Sequence, residues 1–332
     1  MVSVWDDANL LPEDWDEMTH DNWLLQRDML ILLQRLNPCN QKYHMESGGF
    51  IMVTYQFRLD LFTFFGNRGL KKTVTIAGIP LSVAQQGYAW ADAFGKESFQ
   101  NYIESLQGLW VILNSRDELR MVQGLTLPSC QLAVKWDTFA EYVSSMRSHY
   151  RRRINQASAV FSSVEARTIA PDKEFTPEMH ALYRHVYQHS DAKLEMLSID
   201  YFRHFPAVIT VFYEHDIPVG FVQIKGVEQR LVFLFCGMDY TRNKELDIYM
   251  NMLLYIVQYA IEHRYQIIEL GQTTEASKMT LGATQHARWM YLHHHSPWVR
   301  KLGEKLMPLL SYKPYTVRHR VFKEAADEGP SN

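Results

Sequence analysis

The sequence predicts an α/β fold of mixed sheets flanked by helices, laid out twice along the chain. Three observations lead there. The first is the run 230–291, which reads as a strand (231–236), a helix opening at 243–247, a short strand (266–270) ending at Gly271, and a polar loop (273–278) that leads into Leu281-Gly282-Ala283. Its helix carries Ile248, Met252, Leu253, Ile256, Val257, Ala260 and Ile261, mostly at helical spacing, and stops near Glu262-His263-Arg264. Strand, helix, strand and a polar loop past the strand end is where an α/β fold places a ligand. The second observation is that the order helix, meander of strands, helix and strand occurs in both 1–157 and 158–332, as a similarity of pattern without visible identity. The third is bulk: 332 residues, 47% of them hydrophobic and 13% aromatic, can bury cores for two domains.

The elements follow in chain order. Residues 23–36 form an amphipathic helix that ends at Asn37-Pro38. Gly48-Gly49 turns the chain into aromatic and β-branched strands at 50–57 and 59–65. Gly66-Asn67-Arg68-Gly69 is a turn, and 73–76 is another strand. Residues 99–106 read as helix and 110–113 as strand. The helix 139–154 is loaded with positive charge at Arg147, His149, Arg151, Arg152 and Arg153. The pattern then restarts with a strand at 160–168, a helix at 177–188 with proline in its first turn, and a helical piece at 201–205. A hairpin of 207–213 and 219–225 surrounds Glu214-His215-Asp216.

Composition excludes several classes of function. With 21% charged residues and a net charge of -3, nothing drives the whole chain toward DNA or an anionic membrane, so any polyanion must meet a local patch. Cys39, Cys130 and Cys236 are odd in number, far apart and without a CxxC, which predicts reduced thiols and no structural zinc. The acidic N-terminus lacks the regions of a signal peptide, and no apolar run approaches the roughly 20 residues that span a bilayer. The expectation is a soluble, cytoplasmic protein without membrane insertion. His293-His294-His295 is no metal motif, because consecutive histidines point in different directions and no further ligand spacing accompanies them.

Four segments carry a family likeness: Tyr150-Arg151-Arg152-Arg153-Ile154-Asn155; Lys193-Leu194-Glu195; Pro218-Val219-Gly220-Phe221-Val222-Gln223; and Glu269-Leu270-Gly271 through Lys278 and Leu281-Gly282. On these the second half resembles the acyltransferase fold of the GNAT superfamily. The whole chain resembles its double-domain branch, which includes the FemABX peptidyltransferases and related N-acyltransferases. The resemblance implies two tandem GNAT-like domains, 1–157 and 158–332. It also implies transfer of an acyl or aminoacyl group from an activated thioester, acyl-CoA or a carrier protein, to the amine of a small molecule or amino acid, with no tightly bound cofactor. Aminoacyl-tRNA as donor, and a non-catalytic binding protein of the same fold, are the alternatives. The phosphate-cradling pattern Arg/Gln-x-x-Gly-x-Gly/Ala is absent between Met238 and Met250, where Thr241-Arg242-Asn243-Lys244 stands instead.

Candidate site residues come from both readings. Thr241, Arg242, Asn243 and Lys244 open a helix after a strand, where free N–H groups and cations suit a donor's phosphates. The resemblance places the N–H that binds the donor carbonyl among Phe235, Cys236, Gly237 and Met238, and makes Tyr249 the residue that protonates the leaving group. Lys278 sits in the polar loop beside Gln272, Thr274 and Glu275, and is expected to reach a cleft near Gln223 and Tyr291. Glu195 is a candidate base with Lys193 beside it. Arg147 and Arg151, spaced i,i+4, share a helix face that suits an anion.

Overall fold

The structure, a computed structural model, describes every residue except 21, 61–70, 82, 191–195 and 324–332. The Gly66–Gly69 turn, Lys193 and Glu195 therefore lie outside the described residues. In chain order the elements are β1 (Ser3–Trp5), α1 (Arg27–Leu36), β2 (Lys42–Glu46), β3 (Phe50–Asp60), β4 (Lys71–Ala77), β5 (Tyr88–Trp90), α2 (Ala93–Ser105), β6 (Leu109–Ser115) and β7 (Val122–Ala133). They continue with α3 (Phe139–Ser145), α4 (Ser148–Val160), β8 (Glu165–Ile169), α5 (Pro171–Glu174), α6 (Pro177–His189), α7 (Ile199–His204), β9 (Val208–Glu214), β10 (Ile217–Val227) and β11 (Arg230–Met238). Last come α8 (Tyr240–Leu246), α9 (Ile248–Glu262), β12 (Ile267–Glu269), α10 (Glu275–Met279), β13 (Thr284–His294) and α11 (Pro297–Leu310). None of the helices among the described residues is long and apolar enough to cross a membrane.

The chain packs into two compact units. One comprises Met1–Pro128 with Ala287–Pro314, the other Ser129–His286 with Tyr315–Asn332. The basic helix read from the sequence at 139–154 thus lies wholly inside the second unit. In the first unit, β1, β2, β3 and β4 pair antiparallel in that order, β4 pairs parallel with β6, and β6 pairs antiparallel with β13. In the second, β8, β9, β10 and β11 pair antiparallel, β11 pairs parallel with β12, and β12 pairs antiparallel with β7. Both units therefore run through the same succession of strand orientations. Each takes its last strand from a remote part of the chain: β13 follows the second unit's elements, and β7 precedes them.

Several expected boundaries shift for local reasons. The helix expected to open at 243–247 is two helices, because Asp247 adopts a left-handed conformation (φ 50°) between α8 and α9. An Arg153–Asp247 ion pair supports that break. So does Asn251, whose Nδ2 donates to the carbonyls of Ala157, Leu246 and Asp247 at 2.9, 3.2 and 3.1 Å. The basic helix 139–154 likewise divides into α3 and α4 around Met146, and α4 runs on to Val160, where a strand was expected.

The second unit's sheet is covered on both faces. On one face α9, apolar nearly all round, buries Met252, Leu253, Ile256, Val257 and Ala260 against Val222, Ile224, Leu231 and Cys236. On the other face sits an aromatic cluster in which Phe202 stacks on Phe175 (5.1 Å between centroids), and Tyr183 meets Phe202 (4.8 Å) and Phe235 (6.0 Å). Gly237 lets α6 come this close: a Cβ there would meet the Tyr183 backbone nitrogen at 2.7 Å and the Phe221 ring at 2.3 Å.

Candidate active site

Strands β11 and β12 run parallel and are paired only from Arg230–Val232 to Ile267–Glu269. Beyond that point they part. β12's chain stays with β7, as Leu270 N–H donates to Cys130 O (2.8 Å) and Cys130 N–H donates to Gly271 O (2.9 Å). β11 stays with β10 as far as Met238. The Asp239 N–H donates to Val219 O across that ladder (2.9 Å). Strict alternation then turns the N–H groups of Gly237 and Phe235 toward β10 and those of Cys236 and Met238 toward the opening. A backbone donor on a strand edge facing a gap can stabilise a developing oxyanion, and since the two lie about 7 Å apart along the strand, one of them serves any single oxygen.

The loop below the opening is held in an unusual conformation. Gly271, Thr273 and Thr274 all have positive φ (69°, 62° and 48°). For a β-branched residue that is a true outlier, costing about 1–3 kcal/mol each, and such outliers cluster at functional sites. Two contacts hold it. Lys278, 1% exposed, donates from Nζ to the carbonyls of Gln272 (2.5 Å) and Thr273 (2.8 Å). The Tyr249 hydroxyl, from the first turn of α9, shares a hydrogen bond with Thr274 Oγ1.

An ammonium has three donor protons, so one on Lys278 remains beyond these two carbonyls. Burial lowers the Lys278 pKa to about 8, with Cys130, Cys236 and Glu275 acting in the opposite sense. Burial raises the Cys236 thiol to about 12 and Cys130 to about 11, against the pull of Lys278. At neutral pH both thiols are protonated, which excludes them as thiolate nucleophiles. Burial also pushes the Tyr249 phenol above its ordinary value, so it carries its proton at any physiological pH. The Glu275 Oε1 is buried, with no hydrogen-bond partner among the described residues.

The structure thus brings Cys236, Met238, Tyr249, Gln272, Thr274, Glu275 and Lys278 to one place. Lys278 does so as a buried group that braces its loop, not as the projecting side chain expected. Gln223 is not its neighbour. Val222 lies opposite Cys236 in the β10–β11 register and Gln223 opposite Phe235, so alternation puts Gln223 on the aromatic face. Tyr291 belongs to the first unit, buried in its core, with its hydroxyl donating to Asp117 O (2.8 Å) and accepting from Leu119 N–H (3.2 Å).

The expected phosphate site has a different character. Helix α8 starts at Tyr240, not Asn243, and its N-terminus holds the Asp239 carboxylate, which accepts from the Thr241 N–H (2.8 Å) and hydroxyl (2.7 Å). Arg242 is paired with Glu214 (2.5 Å) and Glu245 (3.2 Å). Asn243 accepts from the Tyr249 N–H (3.0 Å) at the start of α9, and Lys244 is exposed. Arg147 and Arg151 serve the chain itself: Arg147 donates from its backbone N–H to Val321 O (2.9 Å) and from Nε to Phe322 O (3.3 Å), and Arg151 donates to Met146 O (3.4 Å). A cavity of about 130 Å³, lined by His149, Tyr150, Arg153, Thr280 and His319 among others, opens close to the end of α10.

Cys130 was invisible as a site feature in the sequence, whereas Glu275 was expected beside Lys278. A lone cysteine in a segment without alternation carries no signal, and nothing local marks the Glu275 Oε1 as buried. Each of the three consecutive histidines binds its own local group: His293 meets Leu106 O, His294 accepts from Ser296 N–H, and His295 accepts from Gly108 N–H.

No family model and no curated protein matches the chain. Solved structures do. The C-terminal domain of a putative lysylphosphatidylglycerol synthetase from Agrobacterium fabrum is similar at 9% identity and a TM-score of 0.53, over 84% of this chain and 89% of that one. L-PGS from Bacillus licheniformis is similar at 11% identity and a TM-score of 0.50, over 80% and 89%. A conserved protein of unknown function from Bacteroides thetaiotaomicron is similar at 11% identity and a TM-score of 0.52, over 88% and 99%. The chain thus shares the fold of these structures, in mixed sheets flanked by helices.

Proposed function

We propose that the protein is a transferase that moves an acyl or aminoacyl group from an activated carbonyl to an amine, at the opening where β11 leaves β12. The observation that carries this reading is the pair of N–H groups, Cys236 and Met238, facing that opening. Bound there, the donor carbonyl oxygen accepts a hydrogen bond from one of these two N–H groups, which strengthens as it becomes an oxyanion. The amine attacks the carbonyl carbon, a C–N bond forms, and the bond to the leaving thiol or hydroxyl breaks. The proton lost by the amine goes to a carboxylate, for which Glu275 with its unpartnered oxygen is the described candidate. Tyr249 supplies a proton to the leaving group. Lys278 fixes the loop and lends positive charge.

For the donor, an aminoacyl ester of tRNA fits better than a CoA thioester. The Asp239 carboxylate already fills the α8 N-terminus, and Arg242 is neutralised by two glutamates, so a diphosphate would meet negative charge there. A similar structure also bears a name that joins a lysyl group to phosphatidylglycerol. The test is to incubate purified protein with radiolabelled aminoacyl-tRNA or acetyl-CoA, each with a panel of amines, and follow label into product. Label moving from aminoacyl-tRNA and lost in Tyr249→Phe supports the proposal. Label moving from acetyl-CoA alone reverses the donor choice, and no transfer from either leaves a binding protein.

A further inference from the structure

Helix α11 of the first unit is amphipathic in an unusual way: half of its apolar arc is buried and the other half faces solvent. At 100° per residue, Val299, Leu310, Gly303 and Met307 occupy one sector. Gly303 and Met307 are buried there. The adjoining sector holds Trp298, Leu309, Leu302 and Leu306, which are 82%, 65%, 56% and 37% exposed. Four large apolar side chains on one face form a contiguous patch, not the scattered exposure ordinary for soluble proteins.

The charge beside this stripe is one-signed. Lys305 and Lys301 border it on the sector next to Trp298. Arg300 follows further round, and Lys313 stands just past the helix. Over 297–313 the chain carries four basic residues against one acid, Glu304, although the whole protein has a net charge of -3. Arg300, Lys301 and Lys305 make no ion pair among the described residues.

We propose that α11 is a membrane-surface helix that lays Trp298, Leu302, Leu306 and Leu309 into the interface of an anionic bilayer, with the flanking lysines over the lipid phosphates. The charge complementarity selects this occupant. A protein-facing apolar stripe has no need of an uncompensated basic border, whereas a helix lying in a headgroup layer uses an apolar face with tryptophan and a Lys/Arg-rich flank. At 14 residues α11 lies on the surface and does not span. This inference is independent of the transfer chemistry proposed above.

Flotation of the full chain with phosphatidylcholine vesicles, with and without phosphatidylglycerol, tests it. The protein should float with the phosphatidylglycerol vesicles and hardly at all with neutral ones, and raised salt should release it. Trp298→Ala with Leu302→Ala, and separately Lys301→Glu with Lys305→Glu, should each cut the bound fraction roughly tenfold or more, since a basic residue near an anionic surface contributes about 1 kcal/mol. All four side chains are exposed, so circular dichroism melts should match wild type. Equal binding to neutral and anionic vesicles, or variants that bind like wild type, would overturn the proposal. So would light scattering that shows a dimer dissociated by Trp298→Ala with Leu302→Ala, because a second copy would then cover the stripe.

Discussion

The Lys278 ammonium donates to the carbonyl of Thr273 at 2.8 Å, five residues back along a loop in which Thr273 and Thr274 both hold positive φ. A buried cation therefore stabilises a strained turn, and the two features depend on each other. Lys278→Ala should lower activity at least a hundredfold and also lower the melting temperature, because it opens a cavity and frees two carbonyls. Lys278→Met fills the space and should recover much of the stability without the activity. Full activity in the Met variant, measured by product formation, would falsify an electrostatic role for the ammonium.

The same lysine predicts a pH dependence. Its pKa is depressed to about 8, so the charged form fades as pH rises through that value, and transfer should fall with it. Stability moves the other way. Between about 8 and the unfolded lysine value of about 10.4 the unfolded chain binds the extra proton, so this group's contribution rises with pH, by roughly 3 kcal/mol across the window. The difference in unfolding free energy between wild type and Lys278→Met isolates it from the buried thiols, which pull oppositely. A difference flat from pH 7 to 10 would return Lys278 to an ordinary pKa.

Tyr249→Phe removes one hydroxyl and its bond to Thr274. As a proton donor to the leaving group, Tyr249 should be worth about 10²–10⁴ in turnover, with the loss smallest for donors whose leaving group is already acidic. If it only held the loop, Thr274→Ala would lose as much as Tyr249→Phe. Side-by-side kcat values for the two variants decide between these roles.

How much of this was legible in the sequence depended on whether the signal was local. The β11–α9–β12 run and the polar loop after it showed as periodicity and a strand end, so the loop of Lys278 was found. The exchanged last strands were not found. Val122–Ala133 contains Gly124, Pro128 and Ser129, and Thr284–His294 is rich in polar residues, so neither alternates cleanly. Their assignment depends on partners over a hundred residues away. The break at Asp247 was missed because a single left-handed residue leaves the apolar period of α9 untouched. Gln223 and Lys278 were expected side by side because one lies in the hairpin and the other past a strand end. The register, with Gln223 opposite Phe235, puts them on different faces.

Arg242 offers a direct contrast between phosphate binding and structure. It neutralises Glu214, whose side chain is 9% exposed. Arg242→Ala should cost about 1–3 kcal/mol in chemical denaturation by stranding that carboxylate, with donor affinity unchanged by calorimetry. A stable variant with weakened donor binding would restore the phosphate reading of α8.

Gln223 supplies the last test. It is fully buried beside Phe235 on the aromatic face, and neither its Oε1 nor its Nε2 has a partner among the described residues. A buried amide without partners costs about 1–3 kcal/mol, so a protein that keeps one is stabler without it unless a ligand meets it. Gln223→Met is close in volume and removes the polar atoms, and should raise unfolding free energy by about 1 kcal/mol or more. If the amide reads a polar group of the substrate, the same variant raises KM with kcat nearly unchanged, the pattern of a lost contact made equally in ground and transition states. Stability gained with KM unaltered would make the buried amide a structural cost without a role in recognition. Stability lost would mean that the amide is satisfied in solution, for instance by a bound water, and has no part in recognition.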